Sequence, residues 1–206
     1  MILYSHDSSF GGDRIVEYGF YAMLFRMKYI NRWGIMHTMV NESLSTHSLE
    51  VAFVAHALAL IGNRYYGKDY DADRIAVKAM LHDAPEIFTG DQPTPVKYYS
   101  QETKSAYDTV EQAACAKLLA MLPDELSDEY ASLMTESDAE KVLIKAADKI
   151  CAYLKCLEES RLGNREFDIA LSSLEKSVFG SDCAEAIYFA ERCIKPFEYP
   201  IDTLLN

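Results

Sequence analysis

Along almost its whole length this chain repeats apolar residues three or four positions apart, and no segment shows the period-two alternation of a half-buried strand. That pattern restricts it to helix-on-helix packing, so an all-α bundle is expected. The spacing predicts about seven helices, over 14–30, 45–62, 72–83, 101–121, 138–161, 165–178 and 182–195. Ser45 and Thr46 are cap candidates for the second, and Leu49, Val51, Val54, Ala55, Leu58 and Ile61 fall largely on one of its sides. Ile75, Ala79 and Met80 make the third apolar. Ser137 and Glu140 form a capping-box pattern before the long helix at 138–161, which Gly163 and Asn164 end. The loop TGDQPTPVK at 89–97 is rich in Gly and Pro, and its prolines forbid a continuing helix. With 206 residues the chain can bury one good core, so a single domain is expected over 14–206, preceded by an extension at 1–13.

Composition narrows the partners. Lys and Arg total 20 against 32 Asp and Glu, a formal charge of −12. A surface so acidic offers no basic stripe to displace the counterions of a nucleic-acid polymer. It leaves room for a small phosphorylated ligand held by a metal and a few local cations. Five cysteines, an odd number without a CxxC pair, and no secretory signal place the chain in the reducing cytoplasm. No apolar run approaches the ~20 residues of a membrane span, so no membrane partner is expected.

The chemistry concentrates in four residues. His82 and Asp83 are adjacent at the end of the third helix, where the backbone can turn and present both side chains to one ion. His47 lies within a helical turn of Val51 and so points inward. His56, nine residues on, falls on the opposite face of the same helix and reads as a hydrogen-bonded surface histidine. Asp148 shares a face with Ile144 and Cys151, and a carboxylate on an apolar stripe needs a cation or strong donors to compensate it. A metal would supply that; so would a buried salt bridge to Arg or Lys. Imidazole and carboxylate ligands from three segments suit a divalent ion that keeps open positions for water and substrate. No GxxxxGK loop and no dinucleotide fingerprint is present.

The order His, then His-Asp, then Asp on a long helix resembles the HD-domain metal-dependent phosphohydrolases. More narrowly it resembles bacterial 5′-deoxynucleotidases of the YfbR type, through INRW at 30–33, STHSLEVAFVAHALA at 45–59, AMLHDAPEIFTGDQPTPVKY at 79–98 and KAADKICAYLKCLEE at 145–159. The resemblance implies His47, His82, Asp83 and Asp148 as ligands of one divalent ion such as Co²⁺, Mn²⁺ or Mg²⁺. It implies Glu86 as the acid/base residue. Arg32, Trp33, Asp91, Gln92, Pro93 and Thr94 would contact a deoxyribonucleotide, Arg32 at the phosphate and Asp91 at the 3′-hydroxyl. Trp33 would disfavour a ribose 2′-hydroxyl, or else serve as a core anchor. Lys97 would add positive potential or remain a solvated loop lysine.

The activity so implied is hydrolysis of deoxyribonucleoside 5′-monophosphates to deoxynucleoside and phosphate, by a homodimer with its last two helices at the interface. Two alternatives stand beside it: a dATP triphosphohydrolase on the same ligand set, and a noncatalytic nucleotide-binding module. Having only Arg32 and Lys97 as obvious basic residues near the site favours the monophosphate. Cys151 and Cys156 read as small core residues. Tyr98, Tyr99 and Tyr153 suit packing or a dimer interface.

Overall fold

A computed structural model describes residues 17–97 and 99–206, apart from the Thr94 side chain. The extension expected at 1–13 and Tyr98 lie outside the described residues. The described chain is helical, with one isolated antiparallel bridge between Asn31 and Ser43. Its elements are α1 (Phe20–Leu24), a 3₁₀ turn (Phe25–Tyr29), α2 (Leu44–Tyr65), α3 (Ala72–Leu81), α4 (Glu86–Thr89), α5 (Thr94–Lys97) and α6 (Gln101–Leu119). There follow α7 (Asp124–Leu133), α8 (Asp138–Arg161), a 3₁₀ turn (Arg165–Phe167), α9 (Asp168–Phe179), α10 (Ala184–Cys193), a 3₁₀ turn (Lys195–Glu198) and α11 (Ile201–Leu204).

Among the described residues seven helices reach ten residues or more, yet they are not the seven that the spacing predicts. The described part of the stretch at 14–30, from residue 17 on, holds one turn of α-helix followed by a 3₁₀ turn, and α7 was not expected. Helix α7 buries no residue completely, and its apolar contact is chiefly Tyr130, whose ring packs 4.7 Å from that of Phe20. Polar contacts hold it, since Arg74 donates to Glu129 Oε1 at 3.0 Å and to Ser132 Oγ at 2.7 Å. Around 89–97 the chain manages a single turn, α5, with Pro95 tolerated in its first turn.

Helix α2 is the central element. Ser43, not Ser45 or Thr46, caps it by accepting from the Thr46 N–H at 3.2 Å. Its buried residues Leu44, His47, Ser48, Val51, Ala55, Leu58 and Gly62 follow the three-four spacing of one helix face. Leu49 departs from that expectation: two positions from His47, it faces outward and is 47 % exposed. Met80 on α3 is likewise 42 % exposed. Small residues on α2 let neighbours approach closely, and a Cβ on Gly62 would stand 2.7 Å from the Tyr70 ring. By length and composition α2 is apolar enough to cross a membrane, but here 56 % of that stretch is buried in the protein's own core.

Two cores result. The larger joins α2, α3, α8, α9 and α10 through Val51, Leu58, Ile75, Ile144, Ile150 and Phe189, each side chain worth about 1.5–3 kcal/mol on burial. The smaller gathers Phe20, Met27, Leu44, Ala84, Leu118 and Leu122. Leu44 and Ala84 belong to the small core, and Val51 and Ala79 to the large one. His47 and the His82–Asp83 turn therefore sit at the seam between them.

One buried ion network fixes the loop that crosses this seam. Glu159 is fully buried and accepts from Lys155 Nζ at 2.6 Å, from the Met39 and Val40 N–H groups at 2.9 and 3.0 Å, and from Asn164 Nδ2 at 2.8 Å. Burial alone would raise this carboxyl; these donors outweigh it and hold it at about 2. We expect Glu159→Gln to cost about 1.5–3 kcal/mol in urea unfolding at pH 7, because the charge-assisted bonds of the carboxylate are lost while Lys155 keeps only the Val40 carbonyl at 2.6 Å and the half-exposed Glu158 at 3.4 Å. A folded-state value below the unfolded 4.5 means that the stabilisation is complete above that pH and lost as pH falls towards 2. A variant as stable as the parent at pH 7 and at pH 3 would refute this assignment.

Candidate metal centre

The site is built from three places in the fold. In the first, residues 30–32 run antiparallel to 42–44, with the Arg32 N–H donating to the Glu42 carbonyl at 3.0 Å and the Leu44 N–H to the Ile30 carbonyl at 2.8 Å. This pairing sets Arg32 beside Glu42, one residue before the cap of α2. The second is the turn after α3, where the helix ends at Leu81 and His82 and Asp83 swing out. The third is the middle of α8, which carries Asp148.

These segments bring all four expected ligands together. His47, His82 and Asp148 each offer an atom within 4.8 Å of the others, the one such cluster among the described residues. His47 Nε2 lies 3.0 Å from Asp148 Oδ1 and 3.8 Å from Asp83 Oδ2, and His82 Nε2 lies 3.0 Å from Asp83 Oδ2. Asp148 thus meets an imidazole rather than the Lys or Arg of a structural ion pair, and its side chain is 40 % exposed.

The donor set fits a metal on a stronger ground than proximity. His82 Nδ1 is 2.7 Å from the Ala79 carbonyl, which keeps a hydrogen on Nδ1 and makes Nε2 the nitrogen that would turn to an ion once it gives up its proton. That Nε2 is buried and, despite its closeness to Asp83, lacks hydrogen-bond alignment. His47 Nδ1 faces Glu42 Oε1 at 3.5 Å, so its Nε2 is likewise turned inward. A buried imidazole nitrogen crowded by carboxylates, with its other nitrogen held from behind, is the arrangement that metal-binding histidines adopt.

Electrostatics show how tightly the charges are packed. Burial would lower His82, but the Asp83 and Asp148 carboxylates outweigh it and push the imidazole up to about 9. Burial would raise Asp83 and Asp148, and the neighbouring histidines hold both below the usual carboxylate range. Glu86 goes the other way: burial, then the charges of Asp83 and Asp91, push it up to about 8. It opens α4, its N–H donates to the Asp83 carbonyl at 2.9 Å, and its Oε2 is buried without a hydrogen-bond partner. Gly90 follows with φ +73°, a left-handed turn that lets the chain leave α4 towards the loop.

Of the other expected contact residues, Arg32, Trp33 and Asp91 stand against this cluster. Arg32 lies 3.5 Å from Asp83 Oδ2 and 3.9 Å from Asp91 Oδ1. Trp33 is the one described non-glycine residue with positive φ, +62°. Such backbone costs of order 1–3 kcal/mol and persists only where its surroundings dictate it. Here the Trp33 N–H donates to Asp91 Oδ2 at 3.1 Å, its indole N–H donates to Glu42 Oε2 at 2.7 Å, and its ring packs 5.2 Å from that of Phe167. Gln92 turns both ends of its amide inward, donating to the Thr89 carbonyl at 2.7 Å and accepting from Tyr107 Oη at 3.2 Å. The Pro93 carbonyl accepts from the Val96 and Lys97 N–H groups and starts α5, while the side chain of Thr94 is not described. Lys97 Nζ is 3.7 Å from Glu111 Oε2. His56 pairs with Asp73 at 3.3 Å, away from this cluster.

Glu42 is the residue that the sequence did not give up. It is 5 % exposed and touches Arg32, Trp33 and His47, yet it stands in a loop where no periodicity marks a side chain as buried.

Comparison with known proteins agrees with this geometry. A 5′-deoxynucleotidase of the YfbR type from Shigella boydii is 47 % identical over 188 residues, 90 % of this chain and 94 % of the relative. One from Cronobacter sakazakii matches to the same extent. An HD-domain phosphohydrolase from Listeria innocua superposes with a TM-score of 0.75 at 22 % identity, covering 86 % of this chain and 87 % of that one. The cyanophage S-2L HD phosphohydrolase, solved with dA and one catalytic Zn²⁺ ion, superposes with a TM-score of 0.59 at 21 % identity, covering 84 % and 95 %. At such identities the two structures speak for the fold alone. The family described as 5′-deoxynucleotidase YfbR-like matches residues 19–197, and the chain belongs to that family.

Proposed function

We propose that the chain is a divalent-metal-dependent 5′-deoxynucleotidase, hydrolysing deoxyribonucleoside 5′-monophosphates to deoxynucleoside and phosphate. The observation that carries this is the convergence of two imidazoles and two carboxylates beside a buried glutamate and an arginine. His47, His82, Asp83 and Asp148 would hold the ion. Two imidazole nitrogens suit Co²⁺, Mn²⁺ or Zn²⁺ better than Mg²⁺, which prefers oxygen ligands and keeps its waters. When bound, such an ion polarises the phosphoryl group and acidifies water.

The rest falls to the chain's own residues. Arg32 offers planar donors to the phosphate oxygens. Glu86, whose carboxyl burial and the charges of Asp83 and Asp91 push well above the usual carboxylate range, takes up or returns a proton at Oε2. Asp91 accepts from the 3′-hydroxyl, and the rigidly held Trp33 ring disfavours a 2′-hydroxyl. Gln92 acts here as a brace for the 89–93 turn through its bonds to Thr89 and Tyr107 rather than as a direct contact. Purified protein with Mn²⁺ and dAMP should release deoxyadenosine and leave AMP and dATP largely intact. Release of triphosphate from dATP would give the reaction to a triphosphohydrolase instead, and no product from any nucleotide would leave a binding module.

We expect Arg32→Lys to lower kcat/KM for dAMP tenfold or more, since a charge-assisted hydrogen bond is worth about 1.5–3 kcal/mol and an ammonium cannot reproduce the fork. Parent-like kinetics would remove Arg32 from the phosphate. We also infer a homodimer acting in the cytoplasm. Phe53, 67 % exposed, Leu162 and Phe197 rim a groove of about 690 Å³ between α2 and α8, apolar surface of the kind that self-association covers. The five free thiols suit a reducing compartment. Light scattering that gives the monomer mass would refute the dimer.

A further inference from the structure

Two hydrogen-bond donors and an imidazole nitrogen converge on one buried carboxylate behind the candidate metal centre. Glu42 Oε2 accepts from the Trp33 indole N–H at 2.7 Å and from Arg32 Nε at 3.3 Å, while Oε1 is the carboxylate oxygen that faces His47 Nδ1, at 3.5 Å; that nitrogen is buried and has no hydrogen-bond partner. The three groups belong to three different tasks in the proposed reaction: base and sugar contact, phosphate contact and metal ligation. Glu42 itself is too far behind them to take a share in any of these tasks directly, because its carboxylate is consumed by the residues in front of it.

We propose that Glu42 is a positioning residue that locks Arg32, Trp33 and His47 into one arrangement, and that it sets metal affinity through His47. The inference rests on the metal-ligand reading of His47 given above. For His47 to present a lone pair at Nε2, its Nδ1 must carry the hydrogen, and that hydrogen needs an acceptor. Glu42 Oε1 is the group in place to accept it. An ionised carboxylate has only acceptors, so it serves all three donors at once. A glutamine of the same shape cannot, because one end of its amide is itself a donor. With its oxygen towards Trp33 and Arg32, its NH₂ opposes the His47 N–H and favours the tautomer whose Nε2 is blocked. With its oxygen towards His47, the NH₂ opposes both the indole and the guanidinium.

The test is Mn²⁺ titration by calorimetry of the full chain and its Glu42→Gln and Glu42→Asp variants, with kcat and KM for dAMP measured at saturating Mn²⁺. For Glu42→Gln we expect Kd for Mn²⁺ to rise about 10–100-fold, the range that loss of an outer partner of a metal ligand brings. At saturation KM should rise more than kcat falls, because Arg32 and Trp33 lose their anchor while the ion is still in place. Glu42→Asp keeps the acceptor chemistry on a shorter arm and should recover part of the affinity. A purely structural role predicts a lower melting temperature with unchanged Kd and KM for the folded protein, and that result overturns the proposal. Should Glu42→Gln fail to fold, a Glu42→Ala variant, which removes the acceptor altogether, with the parent's Kd overturns it equally. Parent protein that takes up no Mn²⁺ would overturn the metal reading and this inference with it, whereas normal uptake by both parent and Glu42→Gln overturns this inference alone.

Discussion

Glu86→Gln is expected to lower kcat for dAMP by about 10²–10⁴-fold while leaving Mn²⁺ affinity within a few-fold of the parent. The substitution keeps the size of the side chain and removes its ability to hold or release a proton. Nothing in the arrangement gives Glu86 a structural bond to lose, for its Oε2 is buried without a hydrogen-bond partner. The neighbouring charges of Asp83 and Asp91 make an ionised carboxylate unfavourable there, so the neutral amide should fold at least as well as the acid. Steady-state kinetics alongside Mn²⁺ titration separate the two effects. Equal loss of turnover and of metal uptake would make Glu86 a ligand rather than an acid or base, and parent-like turnover would remove it from the reaction.

His82→Ala should act on the other half of the mechanism. We expect it to weaken Mn²⁺ binding well beyond the roughly 10–100-fold that an outer-partner loss causes, and to reduce hydrolysis to background. Because His82 is also the cation that faces Asp83, its removal leaves two carboxylates closer to uncompensated, and the metal-free variant should melt at a lower temperature. Excess Mn²⁺ that restores full turnover would mean that three ligands suffice and His82 is dispensable. The contrast is diagnostic, with Glu86→Gln loaded and inert and His82→Ala unloaded and inert.

The readable and the unreadable parts of this site divide along physical lines. His47 and Asp148 could be placed because each sits on a regular helix, where the position of an apolar neighbour fixes the direction of a side chain. His82 and Asp83 could be placed because α3 ends just before them. Asp91 came with the Gly-Pro loop only through likeness to known enzymes, since a loop has no period from which to infer a direction. Glu42 and the left-handed backbone of Trp33 escaped for the same reason, both being settled by partners many residues away. Met80 was misassigned because an apolar residue at the flank of a stripe is indistinguishable from one at its centre until the neighbouring helices are in place, whereas Leu49, two positions from His47 and from Val51, lies on the far face by spacing alone. Helix α7 went unseen because its apolar contribution is slight, chiefly Tyr130 against Phe20, while Arg74 supplies polar anchors that no spacing announces.

The seam between the two cores has a consequence for how the protein folds. His47 and Asp148 are 101 positions apart in the chain, and the contact between them can form only once α2 and α8 have docked. Closing so long a loop is slow and entropically late, so the coordinating atoms are scattered through any partly folded intermediate. An ion that recognises only the assembled cluster then shifts the folding equilibrium by mass action, adding about 2.7 kcal/mol at a free concentration a hundred times its Kd. In a cell, the supply of that ion would therefore govern the abundance of the folded chain as well as its turnover.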